Sequence, residues 1–130
     1  MGKSKSEPSI ERQLALQDAL DLLRGKWKIL ILRSLYLNGT IRFKDLLETS
    51  KGITPKVLSN ELQQLEENLL ITRTVNNTKP VTVSYALTSH ATETLPVINA
   101  LIEFGLKHRK KIKSSVLFAT LFIAEMLRYF

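Results

Sequence analysis

The sequence contains no cysteine in its 130 residues. Disulfides, thiolate metal ligands and thiol redox switches are therefore excluded. Histidine is nearly as scarce: His90 and His108 stand eighteen positions apart, with no paired carboxylates and no glycine-rich phosphate loop beside them. Without such a constellation no catalytic residue, metal ligand set or cofactor is expected, and both histidines read as structural or exposed. The N-terminal stretch MGKSKSEPS lacks the apolar core of a signal peptide. The last sixteen residues, SVLFATLFIAEMLRYF, are strongly apolar, yet they fall short of the about 20 residues a membrane span needs, and Glu125 and Arg128 lie within them. No membrane span is expected, and a cytoplasmic location is.

Acidic residues are in deficit too, twelve against nineteen Lys and Arg, for a net charge of +7. That balance favours an acidic partner, either nucleic acid or an anionic membrane surface. Its distribution is sharper than its total. Between Arg24 and Lys56 eight basic residues, Lys28 among them, are opposed only by Asp45 and Glu48, a local net of +6. Lys107, Arg109, Lys110, Lys111 and Lys113 form a second cluster. A hydrophobic content of 44% over about one domain's length supports a core without staples.

Residues 1–9 read as a flexible basic arm. From Ile10 to Leu23 apolar residues recur with Asp18 and Asp21 opposite them, which predicts a helix ended by Gly25. The next stretch, from Lys26 to Tyr36, is apolar on almost every face and predicts a central core helix with Trp27 as a packing residue. Asn38-Gly39 makes a turn. A short helix is predicted from Ile41 to Thr49, with Phe43, Leu46 and Leu47 inward.

Gly52 to Leu70 then offers the most organised pattern in the chain. Thr54 is placed to cap a helix and Pro55 to occupy its first position. Leu58, Leu62, Leu65 and Leu69 form one apolar stripe, while Lys56, Ser59, Asn60 and Gln63 occupy the opposite face. Taken alone this is either a generic amphipathic helix or a nucleic-acid reading head. Two short helices joined across Ser50-Lys51-Gly52 are the helix-turn-helix arrangement, which favours the second reading.

Beyond Leu70 the period changes to two. Ile71, Arg73 and Val75 alternate with Thr72, Thr74 and Asn76, and a second strand runs from Val81 to Thr88 across the turn residues 76–80. A helix-turn-helix followed by a hairpin is a winged helix, mainly α with a small β-hairpin. Thr88-Ser89 offers a cap for a long last helix in which Pro96 marks a kink or a later start. The cluster from Lys107 to Lys113 suits that helix's C-terminus, and Ser114-Ser115 is expected to break it before a separate apolar helix over 114–130.

Several stretches together carry a resemblance: Gly25-Lys26-Trp27 with Ile31-Leu32, Arg42-Phe43 with Leu46, Gly52-Ile53, Leu58, Leu62 and Leu65, Arg73, Pro80, the run Val83, Tyr85, Leu87 and Thr88, and Phe104-Gly105-Leu106. In this order they resemble the HxlR-type branch of MarR-like winged-helix transcriptional regulators, over about residues 14–112. The resemblance implies a domain over 10–113 that forms a homodimer through its first and last helices and reads an inverted-repeat operator in double-stranded DNA. It places Leu16, Leu20, Leu23, Ile98, Leu101, Ile102 and Phe104 at the dimer interface. The chain departs from the family pattern at Leu69, where glycine is usual, so Asn68 or Leu69 must close the helix, Asn being the better left-handed residue. Ser84 and Ala91 are further departures, and the redox cysteine of some members is missing.

The outward residues of the capped helix, Thr54, Pro55, Lys56, Ser59, Asn60 and Gln63, are the candidate base-reading set: Asn and Gln pair bidentately with adenine, and Lys reaches guanine or phosphate. Arg42, Lys44, Lys51 and Arg73 are candidate backbone contacts, and Lys79 sits at the wing tip, for the minor groove or a phosphate ridge. No effector is legible in the residues. The competing reading is a winged-helix interaction or membrane-surface module without specific DNA binding.

Overall fold

The computed structural model describes residues 6–129, in two compact units that divide between Glu93 and Thr94. The first helix, α1, spans Ser6–Leu22 and so begins before Ile10. Pro8 falls in its first turn, where a missing N–H costs nothing. Residues 6–9 are thus helical rather than a flexible arm, and residues 1–5 of that expected arm lie outside the described residues. Ile10, Leu14, Leu16 and Leu20 are all exposed on α1. Gly25, at φ 90°, makes the turn into the next helix.

Helix α2, Trp27–Asn38, buries Ile31, Leu32 and Leu35 but leaves Leu30, Tyr36 and Leu37 exposed and Trp27 half-buried. It is not the all-round core helix its composition implied, because a unit this small has only one face of core to offer. Ile41–Arg42 forms a short strand, β1, rather than the start of the next helix, and α3 spans Phe43–Thr49 with Leu46 fully buried. β1 exists because a partner strand passes beside it, a contact no local pattern reveals.

Helix α4, Pro55–Glu67, follows the expected chemistry closely. Thr54 Oγ1 accepts a hydrogen bond from the Val57 N–H at 3.2 Å, and Pro55 occupies the first turn. Leu58, Leu62 and Leu65 are buried against the core helix and the sheet. Leu69 does not join their stripe. It is 69% exposed and takes the left-handed conformation at φ 64°, while Asn68 stays at φ −91°. Leu70 N–H donates to Leu65 O and Leu69 N–H to Glu66 O, both at 3.0 Å, which is a Schellman closure with Leu65 and Leu70 buried beneath it. Asn68 is the better left-handed residue, but its position carries the cap, where Asn68 Nδ2 donates to Gln64 O at 2.9 Å. Burial of Leu70 then requires the reversal to occur at 69.

β2, Ile71–Asn76, and β3, Thr82–Leu87, form the expected hairpin, and β1 adds to it in the antiparallel order β1-β3-β2. Arg73 and Ile41 flank Tyr85 from either side, and Thr74 and Arg42 flank Ser84. Asn76 Nδ2 bonds Thr82 Oγ1 and Ser84 Oγ at 3.1 and 3.2 Å, which gives the buried Ser84 a partner. Thr88 Oγ1 donates to Leu69 O at 2.7 Å and accepts from the Ala91 N–H at 3.1 Å, so one hydroxyl ties the end of the hairpin to the closure of α4.

In the second unit, after a short 3₁₀ turn at His90–Thr94, α5 runs without interruption over Leu95–Arg128, with Pro96 in its first turn. The later start is therefore correct and the kink is absent. No break occurs at Ser114-Ser115: serine costs a helix only a few tenths of a kcal/mol, and the flanking Lys, Leu and Ala residues are strong helix formers. The cationic cluster at 107–113 lies mid-helix, so it does not serve a C-terminal dipole.

Candidate nucleic-acid interface

All eleven candidate DNA-contacting residues are exposed, and the structure sorts them into four places. The N-terminal half of α4 presents Lys56, Asn60 and Gln63 to solvent, pinned from behind by its buried leucines. Thr54 has its oxygen engaged in the helix cap, and Pro55 offers no N–H, which limits both to van der Waals contact and, for Thr54, one hydroxyl proton. Val57 is also exposed on this face, although an apolar side chain gives no sequence signal for a solvent-facing position.

Arg42, Lys44, Ser59 and Arg73 line one groove of about 640 Å³ between α3, α4 and the sheet. Asp45 and Glu48 line it too, so its charge is mixed. Arg73 also borders a second hollow with Ser59, Gln63 and Glu66, because its place opposite Tyr85 aims it at the flank of α4. Lys79 is exposed in the loop joining β2 and β3 and does not line this groove.

Lys51 goes elsewhere. It shares a cleft with Lys26, Trp27, Arg33, Ser34 and Thr49, at the N-terminal side of α4. Among the described residues no carboxylate lines this cleft, and Lys26 Nζ sits 4.6 Å above the Trp27 ring, within cation–π range. Lys26 and Arg33 join Lys51 only through the packing of α2 beside the turn, so their separation in sequence concealed the grouping.

Lys28 leaves the basic set. It is buried and ion-paired with Glu61 on α4, so one of the eight cations counted between Arg24 and Lys56 is unavailable to a ligand. Among the described residues no cluster of His, Asp or Glu has the arrangement of a metal site. His90 lies in the 3₁₀ turn, and His108 stacks on Phe104 at 5.9 Å between ring centroids. No helix among the described residues is long and apolar enough to cross a membrane.

α3 and α4 form a helix-turn-helix whose second helix is capped at its start and exposes a polar face, and the β2–β3 hairpin follows it. The chain matches a known family profile, the HxlR-like helix-turn-helix, over residues 22–113. The chain belongs to that family. It is a DNA-binding transcriptional regulator and not an enzyme. An uncharacterised HTH-type transcriptional regulator of Halalkalibacterium halodurans is 39% identical over 90 residues, covering 69% of this chain and 80% of the relative. Among solved structures, the redox regulator HypR in its reduced form superposes with a TM-score of 0.70 at 27% identity, over 77% of this chain and 98% of that one. The reduced form of the regulator YodB from Bacillus subtilis gives 0.62 at 33% identity, over 69% and 87%.

The regulator differs from a thiol-based sensor in one decisive respect, since it has no cysteine to oxidise. The reading of the chain as an interaction module without DNA binding receives no support from these relatives. The family profile ends at residue 113, so the apolar end of α5 lies beyond it.

Proposed function

We propose that this regulator acts in the cytoplasm as a homodimer on an inverted-repeat operator, with α4 of each protomer in the major groove. The observation that carries the reading is the two-sided character of α4: its leucine back is fully buried, and its polar N-terminal half stands clear of the protein. Lys56, Ser59, Asn60 and Gln63 are the base-reading residues, with Thr54, Pro55 and Val57 in apolar contact with the groove wall. Arg42, Lys44 and Arg73 meet phosphates on the wing side of α4, Lys79 enters the minor groove or follows its backbone, and Lys51 with Lys26 and Arg33 meets phosphates on the opposite flank.

The dimer uses α1 through Leu16 and Leu20, with Leu23 just past its end, and α5 through Leu101, Ile102 and Phe104. Leu16, Leu20, Leu101 and Phe104 are well exposed in the single chain, in keeping with this assignment. Ile98 is withdrawn from the set, because at 3% exposure it has no surface left to give a partner. A two-fold dimer of this kind sets its reading helices about 34 Å apart, one turn of duplex.

Selection of bound duplexes from a random pool, followed by titration of the winner over a salt series, tests the reading. A palindromic consensus with half-sites about one turn apart is expected. Binding no tighter to the selected sequence than to random duplex would overturn it.

A further inference from the structure

The end of α5 is the largest unexplained surface of the molecule. Leu117, Phe118, Leu121, Phe122, Ile123 and Leu127 are each more than half exposed. At about 150–250 Å² for a whole aromatic side chain, the apolar residues beyond Ser115 leave on the order of 1,000 Å² in solvent. The largest patch on a typical monomer is roughly 300–600 Å². At about 3.6 residues per turn these side chains point all round the helix instead of along one stripe. A single partner helix covers one stripe, about 100° wide or less in a coiled coil, and would leave most of them in water. A helix apolar on nearly every side fits surroundings that enclose it.

The charges of α5 say what those surroundings are. Lys107, Arg109, Lys110, Lys111 and Lys113 stand directly before the apolar segment, all exposed, and no Asp or Glu occurs from Phe104 to Ala124. Among the described residues none of the five pairs with a carboxylate. Inside the segment the polar groups are satisfied locally. Thr120 Oγ1 donates to Val116 O at 2.8 Å, and Arg128 Nη1 lies 3.5 Å from Glu125 Oε2. Such pairing lowers the cost of leaving water. Lys107, Lys110, Ser114, Glu125 and Arg128 also fall on one line of the helix, at spacings of three, four, eleven and three. A helix lying in a bilayer boundary can hold that line toward the headgroups and sink the rest.

We infer that the end of α5 docks on an anionic phospholipid surface. The apolar side chains beyond residue 113 enter the boundary between headgroups and acyl chains, and the cations at 107–113 meet the lipid phosphates. α5 is not long and apolar enough to cross a bilayer, so the helix lies in the face of the membrane, about 5–10 Å deep. Arg109, Lys111 and Lys113, which stand off the polar line, reach the headgroups through their long aliphatic stems. The family profile stops at residue 113, so this segment adds a second binding surface to the DNA-binding domain. Docking of this kind requires neither the operator reading nor the homodimer to hold.

The natural lack of cysteine supplies the test. Phe118→Cys in the docking segment and Asn77→Cys in the wing loop, made separately in the full chain, each accept one polarity-sensitive nitrobenzoxadiazole label. Vesicles of phosphatidylcholine containing phosphatidylglycerol should shift the emission of the label at 118 to the blue and leave the label at 77 as in water. Co-sedimentation with the same vesicles should weaken about tenfold or more in Phe118→Ser with Phe122→Ser, which keeps the net charge and so separates insertion from adsorption by the basic DNA-binding face. Lys110→Gln with Lys111→Gln should weaken it by a similar factor. An unshifted label at 118, or equal binding to pure phosphatidylcholine, would overturn the inference. So would a label at 118 already blue-shifted without vesicles and unchanged by them, which would show that a protein surface covers the segment.

Discussion

Lys28 Nζ on α2 lies 2.5 Å from Glu61 Oε1 on α4, with the two side chains 6% and 14% exposed. The pair joins the core helix to the helix that carries the reading face, between Asn60 and the buried Leu62. Gly25 sits beside it, and a Cβ there would come within 3.8 Å of the other carboxylate oxygen. The ion pair thus fixes the azimuth of α4 from behind while its polar residues point outward.

Removing one partner leaves a buried charge without compensation, which costs about 3–5 kcal/mol. Glu61→Ala is expected to lose about 3 kcal/mol in urea unfolding, the low end of that range because Glu61 is not wholly sealed from solvent. Lys28→Met combined with Glu61→Leu should recover most of it. A loss below about 1 kcal/mol in the single variant would place the pair in the class of solvent-screened surface bridges.

Leu69 holds a left-handed conformation that costs a branched residue roughly 1–2 kcal/mol. Its side chain is exposed, so Leu69→Gly forfeits little burial. After the added unfolded-state entropy of glycine is deducted, the substitution should stabilise the protein by about 0.5–1 kcal/mol. Thermal unfolding reads this directly, and a lower midpoint would show that Leu69 makes a contact worth more than the strain.

Thr54 caps α4 through its hydroxyl oxygen. Thr54→Ala should cost about 1 kcal/mol of stability and Thr54→Ser much less. If the two variants unfold at the same midpoint, the cap is not what holds the first turn.

Phosphate contacts and base contacts separate in salt and sequence dependence. Lys56→Ala and Lys79→Ala should each weaken operator binding and lower the slope of log affinity against log salt by about one. Lys26→Ala with Arg33→Ala should do the same from the other flank. Asn60→Ala should instead relax preference at one operator position by about 1–3 kcal/mol while leaving the slope alone. An unchanged slope in the lysine variants, or an unchanged preference at 60, removes those residues from their roles.

What was legible in the sequence was local. The Thr54-Pro55 start, the leucine back of α4 at 58, 62 and 65, and the strand over 71–76 each follow from backbone capping and side-chain periodicity, and the structure bears them out. The exposed polar face at 56, 59, 60 and 63 follows from the same periodicity.

What only the tertiary structure decided involves partners distant in the chain. Ile41–Arg42 is a strand because β3 runs beside it, although its own sequence reads as the start of a helix. Lys28 counts as one more cation until Glu61, 33 positions away, is packed against it. Leu69 turns left-handed, in place of the intrinsically better Asn68, because the burial of Leu70 sets where the chain must reverse. Backbone chemistry acts over a few residues, so a sequence displays it, whereas burial depends on which surfaces meet and appears only once the chain has folded.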